Sequence, residues 1–209
     1  MTNASIRPVM ELTHLFFDIG GVLGTNGWDR EQRREAAERF GLDDEFERRH
    51  QEMVGDWEAG RIRMDDYLET AVFYCPRSFS RDEIVSFMFS LSKPFPETVE
   101  VVRRLAASGR HRLMTLNNES EELNRHRIQA FGLQGLFTAY LSSCWLGVRK
   151  PSRLIFERAL GIAGARPERV LFVDDREQNL APARRLGFQT LLYTGAAELE
   201  RSLGDLDLI

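Results

Sequence analysis

Short apolar runs alternate with amphipathic segments through most of the chain. Five runs have the length of buried strands and lack strict apolar–polar alternation: 14–18, 112–117, 138–142, 170–174 and 189–193. Continuous apolar strands are typical of a parallel sheet that helices cover on both faces. Helical periodicity precedes or separates the last four runs, over 98–108, over 119–131, from Pro151 onward, and over 176–186. This order predicts a doubly wound α/β sheet.

Residues 27–92 separate the first run from the others and are too many for one crossover helix. They hold about four helical patterns, one with an apolar face formed by Met64, Tyr67, Leu68, Ala71 and Val72. Ser80 and Glu83 form a capping-box sequence ahead of another. We predict a core formed by residues 1–26 and 93–209, with a helical module inserted at 27–92. An insertion after the first strand lies above the carboxyl edge of the sheet, where it can cover a site.

Composition and charge narrow the class of protein. The chain has 209 residues, of which 43% are hydrophobic and 29% charged, as in a globular protein with a sizeable core. The net charge of -4 gives no basic surface for nucleic acid, and no apolar stretch could span a membrane. Residues 1–11 lack the apolar centre of a signal peptide and have the character of a polar leader. Cys75 and Cys144 are far apart, so we expect reduced thiols in a cytoplasmic protein.

Two of the predicted strands end in acidic residues. Asp18 ends the first and is followed by Ile19, Gly20 and Gly21, whose backbone N–H groups could face an anion; Asp174 and Asp175 end the fourth. Parallel strands bring their carboxyl ends to one edge, where open α/β sheets bind ligands. Three carboxylates there would repel one another unless a cation such as Mg²⁺ intervened, with Asp175 favoured over Asp174 as the direct ligand. The alternatives are a turn role for Asp18 and a helix N-cap for one of the paired acids.

One lysine and three asparagines are further candidates. Lys150 precedes a predicted helix, where a cation opposes the helix dipole. A nearby phosphate or carboxylate cluster would therefore explain this lysine better than helix stability does. The alternative is an exposed loop lysine. Asn117 and Asn118 end the second strand, where an amide could donate to a phosphate oxygen or cap the next helix. Asn179, one turn into a helix, could orient one of the acids.

These segments resemble, in order and spacing, four motifs of the haloacid dehalogenase-like hydrolase superfamily. The segments are Phe16–Leu23, Leu116–Asn118, Gly147–Pro151, and Phe172–Asp175 with Asn179. The Asp-Asp-x-x-x-Asn and Lys-Pro patterns are similar to the branch that contains the phosphatase domain of soluble epoxide hydrolase and bacterial sugar-phosphate phosphatases. The resemblance implies a five-stranded Rossmann-like core with a four-helix cap at residues 27–92.

The resemblance also implies a mechanism for hydrolysing small phosphorylated metabolites. Asp18 would attack phosphorus to form an aspartyl-phosphate that water hydrolyses, while Lys150 stabilises the phosphoryl oxygens. Mg²⁺ would be the cofactor, with four metal-site residues: Asp18, the Gly20 carbonyl, Asp175 and Asp174. Three residues would contact the phosphate: Asn117, Asn118 and Gly21. Asn179 would have a supporting role.

Two positions depart from the family pattern. Typical family phosphatases carry a second Asp two residues after the nucleophile, as acid for the leaving group and base for water, and this chain has Gly20. Such a proton transfer is worth roughly 10²–10⁴-fold, so the resemblance implies weak activity. Asn117 replaces a Ser or Thr. Both departures favour one alternative, an impaired phosphate-binding or interaction protein.

A second alternative is a 2-haloacid dehalogenase, which uses the same Asp on carbon without metal. The paired acids Asp174 and Asp175 argue against it, because they would hinder attack on an anionic substrate. Substrate choice would lie with the helical module, with a loop near residues 55–58 as the first candidate. Asp56 and Glu58 there are the first candidates for a substitute acid.

Overall fold

The computed structural model describes residues 11–209 and contains a parallel sheet in the order β3-β2-β1-β4-β5. Its strands are β1 (His14–Phe17), β2 (Arg112–Asn117), β3 (Ala139–Ser142), β4 (Val170–Asp174) and β5 (Gln189–Leu192). All five predicted strands are confirmed to within one residue at each end. The predicted leader, apart from Glu11, lies outside the described residues.

Helices cover both faces of this sheet. They are α5 (Pro96–Ser108), α6 (Glu121–Ala130), α7 (Ser143–Leu146), α8 (Arg153–Ala163), α9 (Glu177–Arg185) and α10 (Ala196–Asp205). Successive residues of β1 alternate between two apolar clusters: Leu15 and Phe17 pack on the side of α5 and α10, and Phe16 packs on the side of α8 and α9. Because both faces are buried, the strand has no polar alternation, which explains its continuous apolar run.

The segment between β1 and α5 forms four helices, α1 (Arg30–Phe40), α2 (Phe46–Glu58), α3 (Met64–Ala71) and α4 (Arg81–Ser90). They share a third apolar cluster, in which Leu123 of α6 is the one member from outside residues 27–92 among the described residues. The predicted apolar face of α3 is buried there, and the capping box of Ser80 and Glu83 is formed. This separate cluster supports the proposed boundaries of the helical module.

Two local predictions are wrong. Pro151 does not open α8, because it lies in a turn and the Ser152 hydroxyl caps the helix by accepting from the Leu154 N–H. Residues 55–58 are not a loop but the last turn of α2. No helix among residues 11–209 combines the length and apolar character needed to cross a membrane.

Candidate active site

The carboxyl ends of β1 and β4 place the three predicted acids together. The Asp18 N–H donates to the Val173 carbonyl, at 2.9 Å, which locks the two strand ends side by side. Asp18, Asp174 and Asp175 each present an oxygen within 4.8 Å of the others. The predicted convergence of these acids is therefore confirmed.

Lys150 lies between two of these carboxylates. Its Nζ is 2.9 Å from Asp18 Oδ2 and 2.6 Å from Asp174 Oδ2, and its side chain is 1% exposed. Burial acts to lower the pKa of Lys150, but the two carboxylates more than offset this and raise the pKa above its ordinary value. Lys150 is thus a buried ammonium of the site and not an exposed loop lysine.

Asp18 is buried at the floor of a cavity. Its Oδ1 accepts a hydrogen bond from the Ile19 N–H at 2.8 Å, while Oδ2 faces Lys150. Burial raises the pKa of Asp18 above its ordinary value; the Lys150 ammonium opposes this shift, and repulsion from Asp174 and Asp175 adds to it. A second cation beside these carboxylates would favour the ionised form of Asp18, which is the form able to act as a nucleophile.

The paired acids have different roles. Both Asp174 oxygens are occupied, by Lys150 Nζ, by Asn179 Nδ2 at 3.0 and 3.1 Å, and by the Arg176 N–H at 2.8 Å. Asn179 therefore orients an acid, as predicted. Asp175 Oδ1 is buried and has no hydrogen-bond partner among residues 11–209. An unpartnered buried carboxylate oxygen beside other carboxylates suits a hard cation such as Mg²⁺, and favours Asp175 over Asp174 as the direct ligand.

The two glycines after Asp18 make room for this arrangement. Gly21 has a φ of 77°, and a Cβ there would lie 2.3 Å from Asp175 Oδ2, so only glycine leaves space for that carboxylate. The Gly21 N–H donates to the Gly24 carbonyl at 2.8 Å and is not available to a phosphate in this conformation, contrary to expectation. Gly20 borders the cavity, and its carbonyl accepts no hydrogen bond within the described chain, which leaves it open to a metal.

The two asparagines at the end of β2 face different ways. Asn118 Nδ2 donates to the Lys150 carbonyl at 2.9 Å, and its Oδ1 accepts from the Lys150 N–H at 2.8 Å. It positions the lysine loop instead of capping α6, for which Ser120 is the N-cap residue. Asn117 donates to Asn124 Oδ1 at 2.9 Å and is not among the residues that line the cavity, so its contact with a phosphate stays a prediction. Neighbouring strand residues point to opposite faces, which separates the two amides.

A cavity of about 540 Å³ opens above Asp18, within the usual range for small-molecule sites. Six cationic and four acidic residues line it: Arg30, Arg33, Arg127, Arg149, Lys150 and Arg176; Asp18, Asp29, Glu58 and Glu119. The chain as a whole carries a net charge of -4. This excess of positive charge among the lining residues favours an anionic ligand, although Asp174 and Asp175 beside Asp18 offset it in the absence of a cation.

The helical module contributes an aromatic wall to the cavity. Trp28, His50 and Trp57 line the cavity and surround Tyr67. The Tyr67 hydroxyl accepts from Trp28 Nε1 at 3.0 Å, lies 2.9 Å from His50 Nδ1, and its ring stacks on Trp57 with centroids 4.1 Å apart. Burial lowers the pKa of His50 to about 3, so the ring is neutral near pH 7. The seven-residue spacing of His50 and Trp57 on α2 was the available signal for a shared face.

Two arginine–glutamate pairs complete the wall. Glu58 Oε2 lies 2.6 Å from Arg149 Nε, whereas the exposed Asp56 pairs with Arg61 away from the cavity. Of the two acids suggested by sequence, only Glu58 reaches the site. Burial raises the pKa of Glu58, and Arg149 opposes the shift.

The second pair, Glu119 and Arg127, was missed by the sequence analysis. Glu119 Oε2 lies 2.9 Å from Arg127 Nη1, and the side chains are 8% and 2% exposed. Burial raises the pKa of Glu119 to about 7, although Arg127 opposes the shift. The spacing of Leu123, Arg127 and Phe131 at i, i+4 and i+8 could have placed Arg127 on the buried face of α6.

The chain belongs to the haloacid dehalogenase-like hydrolases, whose family model matches residues 12–187. Among curated relatives, it is 29% identical over 118 residues to phosphoglycolate phosphatase of Aquifex aeolicus, covering 56% of this chain and 55% of that protein. It is 26% identical over 218 residues to bifunctional epoxide hydrolase 2 of Sus scrofa, covering 93% of this chain and 39% of that protein. The chain thus spans about half or less of the length of these relatives.

Solved structures share the fold. A HAD family enzyme from Bacteroides thetaiotaomicron, in complex with magnesium and inorganic phosphate, is 21% identical with a TM-score of 0.76, covering 88% of this chain and 94% of that one. The L-2-haloacid dehalogenase from Xanthobacter autotrophicus is 15% identical with a TM-score of 0.62, covering 93% and 83%. These likenesses support the same sheet architecture.

Proposed function

We propose that this hydrolase is a Mg²⁺-dependent phosphatase of small phosphorylated metabolites that reacts through an aspartyl-phosphate on Asp18. The observation that carries the proposal is the Asp18 carboxylate held beside Lys150 at the floor of a cavity with excess positive charge. A phosphomonoester dianion would be attracted by that charge and would meet the nucleophile at the end of β1.

Each charged group then has a chemical task. Asp18 attacks phosphorus as the bond to the leaving oxygen breaks, and water later hydrolyses the resulting aspartyl-phosphate. Lys150, 2.9 Å from the nucleophile, stabilises negative charge on the phosphoryl oxygens. Asp174, Asn179 and Asn118 hold the lysine in place through the hydrogen bonds described above.

The acidic cluster fits Mg²⁺ because it offers oxygen ligands, one of which is buried without a partner. Asp18, Asp175 and the Gly20 carbonyl would hold the ion, which would supply positive charge against the repulsion between phosphate and carboxylates. The magnesium and phosphate present in the related Bacteroides enzyme support this assignment.

The names of two relatives support the substrate class. One is the phosphoglycolate phosphatase, and the other is glyceraldehyde 3-phosphate phosphatase of Methanothermobacter thermautotrophicus, 29% identical over 115 residues. Both act on small phosphorylated compounds by name, and the cavity volume is suited to ligands of that size.

A second candidate, favoured by the absence of a carboxylate at position 20, is a phosphate-binding protein with little turnover. The two candidates differ in one measurable property, since only the first releases inorganic phosphate from a phosphate ester in the presence of Mg²⁺.

Asp18→Asn tests the proposal, because the amide has nearly the shape of the carboxylate but is a poor nucleophile. We expect loss of phosphate release across a panel of phosphorylated metabolites, with an unchanged circular dichroism spectrum. Asp56→Asn is the matched control, since Asp56 pairs with Arg61 outside the cavity, and it should retain parent activity.

Parent-level turnover by Asp18→Asn would show that Asp18 is not the nucleophile. Phosphate binding by the parent without turnover of any substrate would favour the second candidate. Metal-independent turnover of 2-chloropropionate, in place of phosphate esters, would indicate a dehalogenase.

A further inference from the structure

Apart from the nucleophile Asp18, which faces Lys150, three carboxyl groups line the cavity, and each has a partner within the part of the chain that the structure describes. Asp29 caps α1 through two backbone N–H groups. Glu58 faces the guanidinium of Arg149. Glu119 Oε1 accepts from a backbone N–H, and its Oε2 faces Arg127. Because these oxygens already face their partners, we expect none of the three carboxyl groups to reach a leaving group at Asp18. A measurement at pH 8 also lies above the pKa of about 7 of Glu119, which is then mostly ionised.

The other titratable groups of the cavity are also committed. His50 Nδ1 faces the Tyr67 hydroxyl, and the ring is neutral near pH 7. Lys150 donates to Asp18 and Asp174. A leaving group at Asp18 therefore meets no free acid among the described residues.

Arg127 is the charged group nearest to the position where a side chain on residue 20 would begin. A Cβ built on Gly20 would lie 3.4 Å from Arg127 Nη1 and 3.0 Å from Asn26 Oδ1. The guanidinium is fixed by Glu119, by Ser92 Oγ at 3.3 Å from Nε, and by the Asn26 carbonyl. It borders the cavity beside Gly20, the residue two positions after the nucleophile, and these contacts hold its orientation.

We propose that Arg127 stabilises a leaving group that departs as an anion, so that the enzyme acts on acyl phosphates or phosphoanhydrides in preference to alkyl phosphate esters. This inference rests on the proposed phosphatase function. A guanidinium does not lose its proton in proteins, so Arg127 acts by charge and hydrogen bonding and not as a general acid.

The chemistry balances without a proton donor. Asp18 oxygen forms a bond to phosphorus while the bond from phosphorus to the leaving oxygen breaks, and the leaving group takes that electron pair as a carboxylate or phosphate anion. Water then attacks phosphorus, the bond to Asp18 breaks, and the water proton leaves with inorganic phosphate or solvent. A carboxylate is a weak base, with a conjugate-acid pKa of about 4, whereas an alkoxide must be protonated as it departs.

The test is the dependence of rate on the leaving group. The single-turnover rate of leaving-group release, which reports transfer of the phosphoryl group to Asp18, would be measured at pH 8. The substrates would be acetyl phosphate, a series of substituted aryl phosphates and an alkyl phosphate. We expect the parent to react with the activated substrates roughly 10²–10⁴-fold faster than with the alkyl phosphate.

The variant that isolates Arg127 is the double replacement Arg127→Gln with Glu119→Gln, which leaves no unpaired buried charge. In this variant the rate with acetyl phosphate should fall roughly 10²–10³-fold, and the rate should depend more steeply on the pKa of the leaving group. Arg127→Lys keeps the cation and should restore much of the parent slope. The matched control, Arg149→Gln with Glu58→Gln, removes the other ion pair of the same cavity. It should change the rates with all substrates by one common factor.

If transfer to Asp18 limits the rate and the parent reacts equally fast with alkyl and activated phosphates, the proposed role of Arg127 is wrong. The phosphatase function would still stand. An unchanged slope in the folded double variant would do the same. Absence of turnover with every member of the series would remove the proposed function and this inference together.

Discussion

The neutral state of buried His50 makes a quantitative prediction about stability. Its ring packs edge-on against Tyr67 in the cavity wall, and its Nδ1 lies 2.9 Å from the Tyr67 hydroxyl. Burial is the main cause of its lowered pKa, and Arg33 adds to the effect. As the pH falls, His50 is therefore protonated in the unfolded chain at a higher pH than in the folded protein.

The sign and size follow from the two pKa values. The pKa of His50 is about 3 in the folded protein, against an ordinary value of 6.5. A lowered folded-state pKa contributes stability that is fully present above pH 6.5 and is lost as the pH falls toward 3. Between pH 8 and pH 5 the loss amounts to about 2 kcal/mol in the free energy of unfolding.

Glu119 acts in the opposite direction over the same range. Its pKa is raised to about 7 from an ordinary value of 4.5, so its proton stabilises the folded state as the pH falls. The parent profile alone can therefore be nearly flat. The difference between the parent and a His50→Asn variant isolates the histidine, because Asn keeps an acceptor near the position of Nδ1 and does not titrate.

Urea unfolding, followed by tryptophan fluorescence at pH 8, 7, 6 and 5, measures this difference. We expect the stability advantage of the parent over His50→Asn to shrink by about 2 kcal/mol from pH 8 to pH 5. A difference that stays constant within about 0.5 kcal/mol would refute the argument, because it would mean that folded His50 accepts a proton as readily as the unfolded chain does.

Three further predictions concern the carboxyl edge of the sheet. Asp175→Ala should weaken Mg²⁺ binding in calorimetry because it removes the unpartnered ligand, and parent-like affinity would disprove the metal site. Arg127→Gln should lower the free energy of unfolding by about 3–5 kcal/mol by leaving Glu119 buried and unpaired, whereas adding Glu119→Gln should recover most of that loss; equal losses in single and double variants would contradict this. Gly20→Asp alone should not speed alkyl phosphate hydrolysis, because Arg127 beside the new side chain would favour its ionised form. A faster rate on alkyl phosphates in the single Gly20→Asp variant would contradict this.

The strands and the reaction centre were predictable because both depend on short stretches of sequence. Leu15, Phe16 and Phe17 form an unbroken apolar run since neighbours pack on opposite, equally buried faces. Once the strands are parallel, their carboxyl ends must share one edge, which brings Asp18 to Asp174 without further information.

The cavity wall was not predictable in the same way. A charged residue on an amphipathic helix looks the same in sequence whether it faces solvent or a buried partner. Arg127 contacts the Asn26 carbonyl across 101 residues of chain, and no local pattern encodes that contact. Asn117 and Asn118 show a related difficulty, because adjacent identical residues differ only in which side of the strand they occupy.

The glycine at position 20 and the buried Arg127 beside it are best interpreted together. If an acid at position 20 had simply been lost, an empty space would be expected beside Gly20. The structure instead places a buried guanidinium next to Gly20, held by Glu119, Ser92 and the Asn26 carbonyl. Burying such an ion pair costs desolvation energy that a well-packed apolar pair would avoid, so its presence beside Gly20, at the border of the cavity, calls for a function. A carboxylate at position 20 would lie beside the same arginine, whose charge favours the ionised form over the protonated form that a leaving group needs. The glycine and the arginine thus form one arrangement, in which positive charge on the leaving-group side replaces proton transfer and selects substrates whose leaving groups need no proton.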